Sequence, residues 1–227
     1  MEDGLHLIEI KGIGKDYTNG DATVKAIDEM NFFIDDGEFL SIMGQSGSGK
    51  STLLSILGGL NQPSRGKVLV DTLDLYALSS EQRADFRSEY VGFIFQSFQL
   101  IPYLTVKENI KLPMAITGVK DREQERRAQS VLEKVGLGTK GDRLPDQLSG
   151  GEQERVAIAR AIVNNPPILL ADEPTGNLDS HTADEVMALL TQLNRDGQTI
   201  IMVTHNPAVC ALTNRSIHIK DGTCLAA

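Results

Sequence analysis

The chain has 227 residues, a length that suits one large α/β domain or two tightly joined lobes. Its formal net charge of −9 argues against a nucleic-acid-binding surface, because affinity for DNA and RNA depends largely on neutralising phosphates. The longest apolar stretch, 53–60, is far shorter than the roughly 20 residues of a membrane helix, and residues 1–6 do not resemble a signal peptide. We therefore expect a cytosolic protein that binds no nucleic acid.

Short strands and turns precede a glycine-rich loop in the first part of the chain. The pattern predicts strands at 5–10 and 26–34, on either side of a turn-rich stretch at 17–21. The apolar run 39–43 stops at the glycine-rich loop, and a helix over 51–60 is expected after it. Beyond these, the pattern predicts a strand at 67–70, a charged helix at 79–90 and a strand at 91–95 that ends at Gln96.

The middle of the chain has a helical pattern from 105 to 136. Pro113 and Gly118 are expected to break it before a helix over 122–135, in which apolar residues face away from a charged side. These helices belong to an expected helical insertion that spans about 97–165.

The last part of the chain returns to an alternation of strands and helices. Ser149 is a candidate N-cap for a helix running through 155–163, because Glu152 three residues later completes the capping-box pattern. We expect one α/β core, at about 1–96 and 166–227, around the insertion. Its remaining predicted elements are strands at 168–171, 199–204 and 216–220 and a helix at 182–194.

The glycine-rich loop matches the phosphate-binding pattern G-x-x-x-x-G-K-[ST] between a predicted strand and a predicted helix. Glycines let successive backbone N–H groups wrap phosphates, and the helix that follows points its positive end at the same charge. Lys50 should reach the β- and γ-phosphates, and the Ser51 hydroxyl should ligate Mg²⁺. Kinases, GTPases and motor ATPases share this loop. The predicted nucleotide-binding positions are Gly44, Gln45, Ser46, Gly47, Ser48, Gly49, Lys50, Ser51 and Thr52.

A second motif, Leu148-Ser149-Gly150-Gly151-Glu152, narrows the choice. A serine hydroxyl and glycine amides at a helix N-terminus form an anion site, although Ser149 and Glu152 alone would also suit an ordinary capped helix. Together with the P-loop, this motif resembles the signature of the ABC ATPase family, and the resemblance runs from about residue 5 to 222. It implies that Ser149, Gly150, Gly151 and Glu152 face the P-loop of a second copy, so that ATP joins two chains.

The resemblance assigns catalytic and metal-binding roles to residues that follow predicted strands. Asp172 is implied to hold Mg²⁺ through water, and Glu173 to be the general base that polarises the attacking water. Gln96 is implied to contact Mg²⁺ and that water, and His205 to contact the γ-phosphate; with Lys50 and Glu173 they form the expected catalytic set. Adjacent residues on a strand point to opposite faces, so Glu173 must turn towards the site at the strand's end.

Three more positions match the family pattern. Tyr17 matches the aromatic residue that stacks on adenine, and Val24 matches the apolar residue beside the ribose. Stacking tolerates different bases, so Tyr17 does not exclude GTP, and a surface tyrosine in a turn is the alternative interpretation. Asp179 resembles the residue that communicates across the dimer; it also suits the N-cap of the next helix, and both roles are compatible.

The resemblance implies an α/β fold of the P-loop NTPase class: an ABC-type nucleotide-binding domain with a RecA-like core, an antiparallel β subdomain and a helical insertion. The string Ala-Asp-Glu-Pro-Thr-Gly-Asn-Leu-Asp at 171–179 is typical of the ATPases of lipoprotein release, macrolide export and the division-associated FtsE type. That subgroup implies a bacterial ATPase at the inner face of the plasma membrane, coupled to a four-span membrane subunit with an external domain. Candidates for lining the groove that accepts this subunit, or for the core of the insertion, are Phe95, Phe98, Leu100 and Tyr103.

Other proteins with related ATPase heads fit the sequence less well. Chromosome-maintenance ATPases place hundreds of residues of coiled coil between the two motifs, whereas only about a hundred residues separate them here, without sustained heptads. Translation factors of the ABC class carry two heads, and this chain has one P-loop and one signature. The sequence therefore predicts the ATP-hydrolysing subunit of a membrane transporter, with ATP and Mg²⁺ as its ligands.

Overall fold

The computed structural model describes residues 6–20 and 22–225, and one of its two sheets is antiparallel. This sheet contains β1 (Ile8–Asn19), β2 (Ala22–Ile34), β4 (Arg65–Val70) and β5 (Leu73–Asp74), in the order β2-β1-β4-β5. β1 and β2 pair along nearly their whole length, and Tyr17 lies opposite Val24 near the hairpin end.

The hairpin is longer than the sequence predicts. A turn is expected over 17–21, yet β1 continues to Asn19 because its residues find backbone partners on β2. Tyr17 and Val24 are both exposed, so hydrophobic alternation gives no strand signal at this end. Residue 5 of the predicted strand and residue 21 of the predicted turn lie outside the described residues.

The second sheet is parallel except at one edge. Its order is β10-β9-β3-β8-β7-β6, and β10 pairs antiparallel with β9. All six residues of Thr199–Thr204 are buried, as expected for a parallel strand covered on both faces. The predicted strands of this sheet agree with the observed bounds to within one residue, but the three-residue β10 was too short to predict. The strands are β3 (Phe39–Met43), β6 (Val91–Ile94), β7 (Ile168–Asp172), β8 (Thr199–Thr204), β9 (Arg215–Lys220) and β10 (Thr223–Leu225).

Helices connect these strands, and three of them start with a capping box at Ser79, Thr105 and Ser149. None of the helices in the described part of the chain is long and apolar enough to cross a membrane. The helices are α1 (Lys50–Leu57), α2 (Ser80–Tyr90), α3 (Val106–Ile116), α4 (Asp121–Lys134), α5 (Gly150–Ile162), α6 (Ser180–Arg195) and α7 (Pro207–Cys210), with a 3₁₀ turn at Pro145–Gln147.

Two helix predictions were wrong. α1 ends at Leu57 rather than 60, because Gly58 caps it and Gly59 has a φ of +67°, which ends the helical path. Pro113 does not break α3, which runs through it to Ile116. A proline removes one backbone hydrogen bond from a helix, and the complete burial of Ile110 and Met114 offsets that loss here.

Alternate residues of the parallel sheet belong to two different cores. Leu170 and Ile201 pack with the antiparallel sheet and α1, whereas Leu169 and Ile200 pack with α3 to α6. The helices of the expected insertion at 97–165 therefore share their core with the sheet. The P-loop helix lies on one face of this sheet and the signature helix α5 on the other, and the carboxyl edge between them carries the site.

Candidate functional site

The polar residues that follow β3, β6, β7 and β8 meet at the carboxyl edge of the parallel sheet. This edge is where open α/β sheets bind ligands. A cavity of about 650 Å³ lies there. Its lining residues are Ala26, Gln45, Ser46, Gly47, Gly49, Lys50, Ser51, Thr52, Gln96, Asp172, Glu173 and His205.

Lys50 begins α1, and its side chain is almost fully buried. Its ammonium donates hydrogen bonds to the carbonyls of Gly44 (2.9 Å) and Gln45 (2.8 Å), which compensate for the loss of water. Gly49 has a φ of +101°, and a Cβ there would lie 2.2 Å from the carbonyl oxygen of Ala26. Only glycine therefore fits where the loop passes β2, and the loop holds its own lysine in place.

Two predicted loop residues, Gly44 and Ser48, do not line this cavity. They line a neighbouring cavity of about 450 Å³ beside β9, together with His218 and Ile219. The backbone N–H of Ser48 donates to the carbonyl of Gln45 at 3.2 Å, so this amide is already engaged within the loop. The other seven predicted loop positions line the larger cavity.

Ser51 and Asp172 bring two oxygens together at the edge of the sheet. The Ser51 hydroxyl donates to Asp172 Oδ1 at 3.1 Å. Burial raises the pKa of Asp172, and the hydrogen bond from Ser51 opposes that rise. Mg²⁺ prefers such hard oxygen donors, usually one or two from the protein with phosphate oxygens completing the shell. The described residues contain no cluster of three or more His, Cys, Asp or Glu that could hold a metal ion.

Glu173 turns into the cavity through an unusual backbone conformation. Its φ is +47°, in the left-handed region that residues other than glycine rarely adopt, and its N–H donates to the carbonyl of Val203 at 3.0 Å. Its Oε2 lies 3.2 Å from His205 Nδ1 and accepts a hydrogen bond from Gln96 Nε2 at 3.5 Å. The left-handed conformation of Glu173 allows two consecutive carboxylates, those of Asp172 and Glu173, to line the same cavity.

Two residues outside the predicted set hold the segment around Gln96. Asn177 donates from Nδ2 to the carbonyl of Gln96 at 3.0 Å. Arg160 of α5 donates to the carbonyls of Phe98 (2.7 Å) and Gln99 (2.5 Å), both of which have positive φ. An arginine among the apolar residues of α5 indicates that a partly buried guanidinium needs acceptors, but it does not indicate which carbonyls those are.

Asp179 is the N-cap of α6. Its side chain accepts hydrogen bonds from the N–H (3.1 Å) and the hydroxyl (2.6 Å) of Thr182, and these bonds lower the pKa of Asp179. The capping alternative is therefore realised, and a role for Asp179 across a dimer stays a prediction.

The signature lies outside the cavity of its own chain. Ser149 Oγ accepts the N–H of Glu152, and Glu152 Oε2 accepts the N–H of Ser149 at 3.0 Å. The hydrogen bond from Lys140, and to a lesser extent that from the N–H of Ser149, lowers the pKa of Glu152. A Cβ at Gly151 would lie 2.0 Å from Thr182 Cγ2, so close packing against α6 requires this glycine. A Cβ at Gly150 would make only ordinary contact, 3.5 Å from Leu178 Cδ2.

The two predicted base-site residues also lie outside the P-loop cavity. Tyr17 and Val24 face one another across β1 and β2, and they are 43% and 64% exposed. Ala26, two residues along β2 from Val24, does line the cavity. β2 therefore connects the predicted base site to the P-loop.

A groove of about 320 Å³ lies between α2, β6, α3 and the end of α5. Of the four aromatic and apolar residues predicted to accept a partner, Phe95 lines it and Phe98, Leu100 and Tyr103 do not. Leu100 packs against the core instead. The groove also contains Ile116, whose side chain is 79% exposed at its rim.

Three comparisons place the chain among known proteins. The family model described as "ABC transporter" matches residues 27–176. The chain is 43% identical over 221 residues to an uncharacterized ABC transporter ATP-binding protein, YknY, of Bacillus subtilis, and the match covers 97% of this chain and 96% of that one. It is 46% identical over 218 residues to the macrolide export ATP-binding/permease protein MacB of Aggregatibacter actinomycetemcomitans, of which it spans only 34%.

A solved structure gives the same assignment. The dimeric post-hydrolysis state of the ATP-binding cassette MJ0796, bound to ADP and Pi, matches with a TM-score of 0.89 and 42% identity over 96% of this chain and 97% of that one. The α/β architecture is that of the P-loop NTPase cassettes, as the sequence predicts. The chain belongs to the ABC transporter family and is an ATP-binding cassette, an ATPase that uses ATP with Mg²⁺.

Proposed function

We propose that two copies of this chain close head to tail around MgATP, so that each active site takes its P-loop from one copy and its signature from the other. The contacts of Glu173 support the catalytic part of this proposal. One of its carboxylate oxygens is close to both Gln96 and His205, and the Ser51–Asp172 pair lines the same cavity. The related cassette MJ0796 is dimeric in a state bound to ADP and Pi, which supports the pairing of two copies.

The residues around the γ-phosphate have different roles in hydrolysis. Glu173 takes a proton from the attacking water as that water bonds to the γ-phosphorus, and the bond to the leaving ADP oxygen breaks. Gln96 contacts the water and Mg²⁺, and His205 contacts the γ-phosphate. Both also hold the Glu173 carboxylate. Lys50 contacts the β- and γ-phosphates, and Ser51 and Asp172 hold Mg²⁺, which supplies positive charge against the phosphate oxygens.

The remaining predicted positions contact the nucleotide or the second copy. Tyr17 stacks on the base and Val24 packs beside the ribose. The signature residues Ser149, Gly150 and Gly151, with Glu152 behind them, present the N-terminus of α5 to the γ-phosphate of the partner. Asp179 caps α6 and also contacts the second copy across the dimer.

Glu173→Gln tests the catalytic assignment because it keeps the size of the side chain and removes the base. We expect ATP to bind while hydrolysis falls by at least about 10²-fold, the range of general-base catalysis. The variant should elute as an ATP-dependent dimer on a sizing column. Glu185→Gln, at an exposed position on α6, is the matched control. A Glu173→Gln variant that is monomeric and fully active would contradict the proposal.

We also propose that the chain drives an integral membrane subunit and acts at the inner face of the membrane through it. Relatives that carry this domain and a permease in a single chain support this coupling. The partner expected for this subgroup has four spans and an external domain. Its cytoplasmic helix docks in the groove beside Phe95 and Ile116, between the core and the helical subdomain at about 97–165.

Two equally exposed residues test the docking groove. Ile116 lines it at 79% exposure, and Tyr103 lies outside it at 78% exposure. With the membrane protein that copurifies from detergent extracts, Ile116→Asp should abolish the stimulation of ATPase activity and Tyr103→Asp should retain it. Equal stimulation of both variants would place the docking surface elsewhere.

A further inference from the structure

We infer that Asn61, in the segment that follows the P-loop helix α1, is a positioning residue for Tyr17 and ties the base-binding end of the nucleotide site to the helix that holds the phosphates. The inference rests on the proposed stacking of a nucleobase on Tyr17. It adds a residue to the site from outside both the P-loop and the hairpin that carries Tyr17.

Tyr17 is held at its tip and covered on one face. Asn61 Nδ2 donates a hydrogen bond to the phenol oxygen of Tyr17 at 2.5 Å. The ammonium of Lys15 lies 5.1 Å from the centroid of the same ring, and it donates to the carbonyl of Gln62 at 2.7 Å. Residues 61 and 62 therefore fix both the end of the ring and the cation over it, which leaves the opposite face for a base.

Asn61 is itself anchored to α1. Its backbone N–H donates to the carbonyl of Ser55 at 3.2 Å. Its carbonyl lies 2.7 Å from the hydroxyl of Tyr76, which is also 2.6 Å from the carbonyl of Ile56. Burial raises the pKa of Tyr76, so this hydroxyl keeps the proton it donates. The amide that holds Tyr17 is thus fixed relative to α1 at Ser55 and Ile56.

The residues that contact the two ends of a nucleotide are therefore both fixed relative to α1. Lys50 begins α1 at the phosphate end, and Asn61 follows its last turn and holds the base platform. Tyr17 is 43% exposed on a strand whose outer end packs little, so without Asn61 its side chain would have to be ordered when the base binds. Ordering one side chain on binding lowers affinity by roughly 2- to 10-fold.

Asn61→Ala is the test, with ATPase kinetics and with competition by inorganic tripolyphosphate as readouts. We expect KM for ATP to rise roughly 2- to 10-fold, with the change on KM rather than on kcat. Inhibition by tripolyphosphate, which has no base, should be unchanged, because the P-loop is untouched. Gln62→Ala is the matched control, since its backbone carbonyl still holds Lys15.

Tyr17→Phe supplies an independent measurement that leaves the ring in place. Removing the phenol oxygen should raise KM as much as Asn61→Ala does, and the double variant should add nothing further, because both remove the same hydrogen bond. A role of Tyr17 in stacking alone predicts no effect of Tyr17→Phe.

An unchanged KM in Asn61→Ala would overturn the inference. An equal loss of ATP and tripolyphosphate affinity would overturn it as well, because it would mean that α1 as a whole has loosened. Additive effects in the double variant would also contradict it. If Tyr17→Ala leaves ATP binding unchanged, the proposed base site itself is wrong. If Tyr17→Ala weakens ATP binding and Asn61→Ala does not, only the positioning role fails.

Discussion

The P-loop and the signature both lie at helix N-termini, yet their polar groups are arranged in opposite ways. α1 has no acidic residue in its first turn, and its N-cap Gly49 has no side chain, so the helix terminus is open to an external anion. α5 already has a carboxylate at its terminus, because Glu152 and Ser149 cap each other. The P-loop lines a cavity with the catalytic residues, whereas the signature of the same chain lies outside it. This difference supports the proposal that the P-loop and the signature of one chain belong to two different sites, each completed by a second copy.

The first prediction tests this difference by inactivating the P-loop in one chain and the signature in another. Lys50→Ala removes the buried ammonium from the P-loop. Gly150→Asp puts a negative charge at the signature, at an exposed position where a Cβ comes no closer than 3.5 Å to another atom. Each variant alone should have almost no ATPase activity. In an equal mixture, random pairing leaves one intact composite site in the mixed dimers, so about a quarter of the parent rate should return.

The rate of the mixture decides between composite and self-contained sites. Activity that reappears on mixing, and not in either variant alone at any concentration, would support the composite site. A mixture as inactive as its components, although mixed dimers are present on native mass spectrometry, would contradict it. Glu185→Gln mixed with either variant is the control for the effect of dilution.

The second prediction concerns the two glycines of the signature, which differ in how closely they pack against other residues. Gly151→Ala places a Cβ 2.0 Å from Thr182 Cγ2, and such overpacking costs about 1–3 kcal/mol of unfolding free energy. Gly150→Ala meets no atom closer than 3.5 Å and should change stability by less than about 1 kcal/mol, the penalty or gain of a helix-terminal glycine. Urea unfolding of both variants measures the difference.

A compensating change tests the cause. Thr182→Ser removes Cγ2 and keeps the hydroxyl that bonds to Asp179, so it should restore most of the stability lost in Gly151→Ala. If the double variant is no more stable than Gly151→Ala alone, packing against Thr182 is not the reason for the glycine.

The parallel strands and both motifs follow from the sequence, because buried parallel strands are continuous apolar runs and because the P-loop and the signature have rare, fixed spacings. The left-handed turn of Glu173 does not follow from it, since nothing in a strand that ends Asp-Glu indicates a positive φ. The contacts of Arg160 with Phe98 and of Asn61 with Tyr17 join segments that are 62 and 44 residues apart. Such contacts depend on how the sheets and helices pack, which local patterns do not encode.

The third prediction compares a buried ionisable residue of the P-loop with one of the signature helix α5. Lys50 has two carbonyl acceptors for its buried charge, whereas Glu154 of α5 is fully buried and, among the described residues, neither of its carboxyl oxygens has a hydrogen-bond partner. Burial raises the pKa of Glu154 from its ordinary 4.5 to about 8, and the charge of Arg160 only partly opposes this. The folded chain therefore keeps this proton at neutral pH, and the unfolded chain releases it.

Because the folded state binds the extra proton between pH 4.5 and about 8, the contribution of Glu154 to the free energy of unfolding falls as pH rises through that window. The contribution of one group is at most about 1.4 kcal/mol per pH unit. Glu154→Gln keeps the shape and cannot titrate, so its stability relative to the parent chain should increase from pH 6 to pH 7 by up to that amount. Taking the difference between variant and parent cancels the titration of the other groups. A difference that stays constant from pH 5 to pH 8 would mean that Glu154 is ionised in the folded chain and that Arg160 neutralises it.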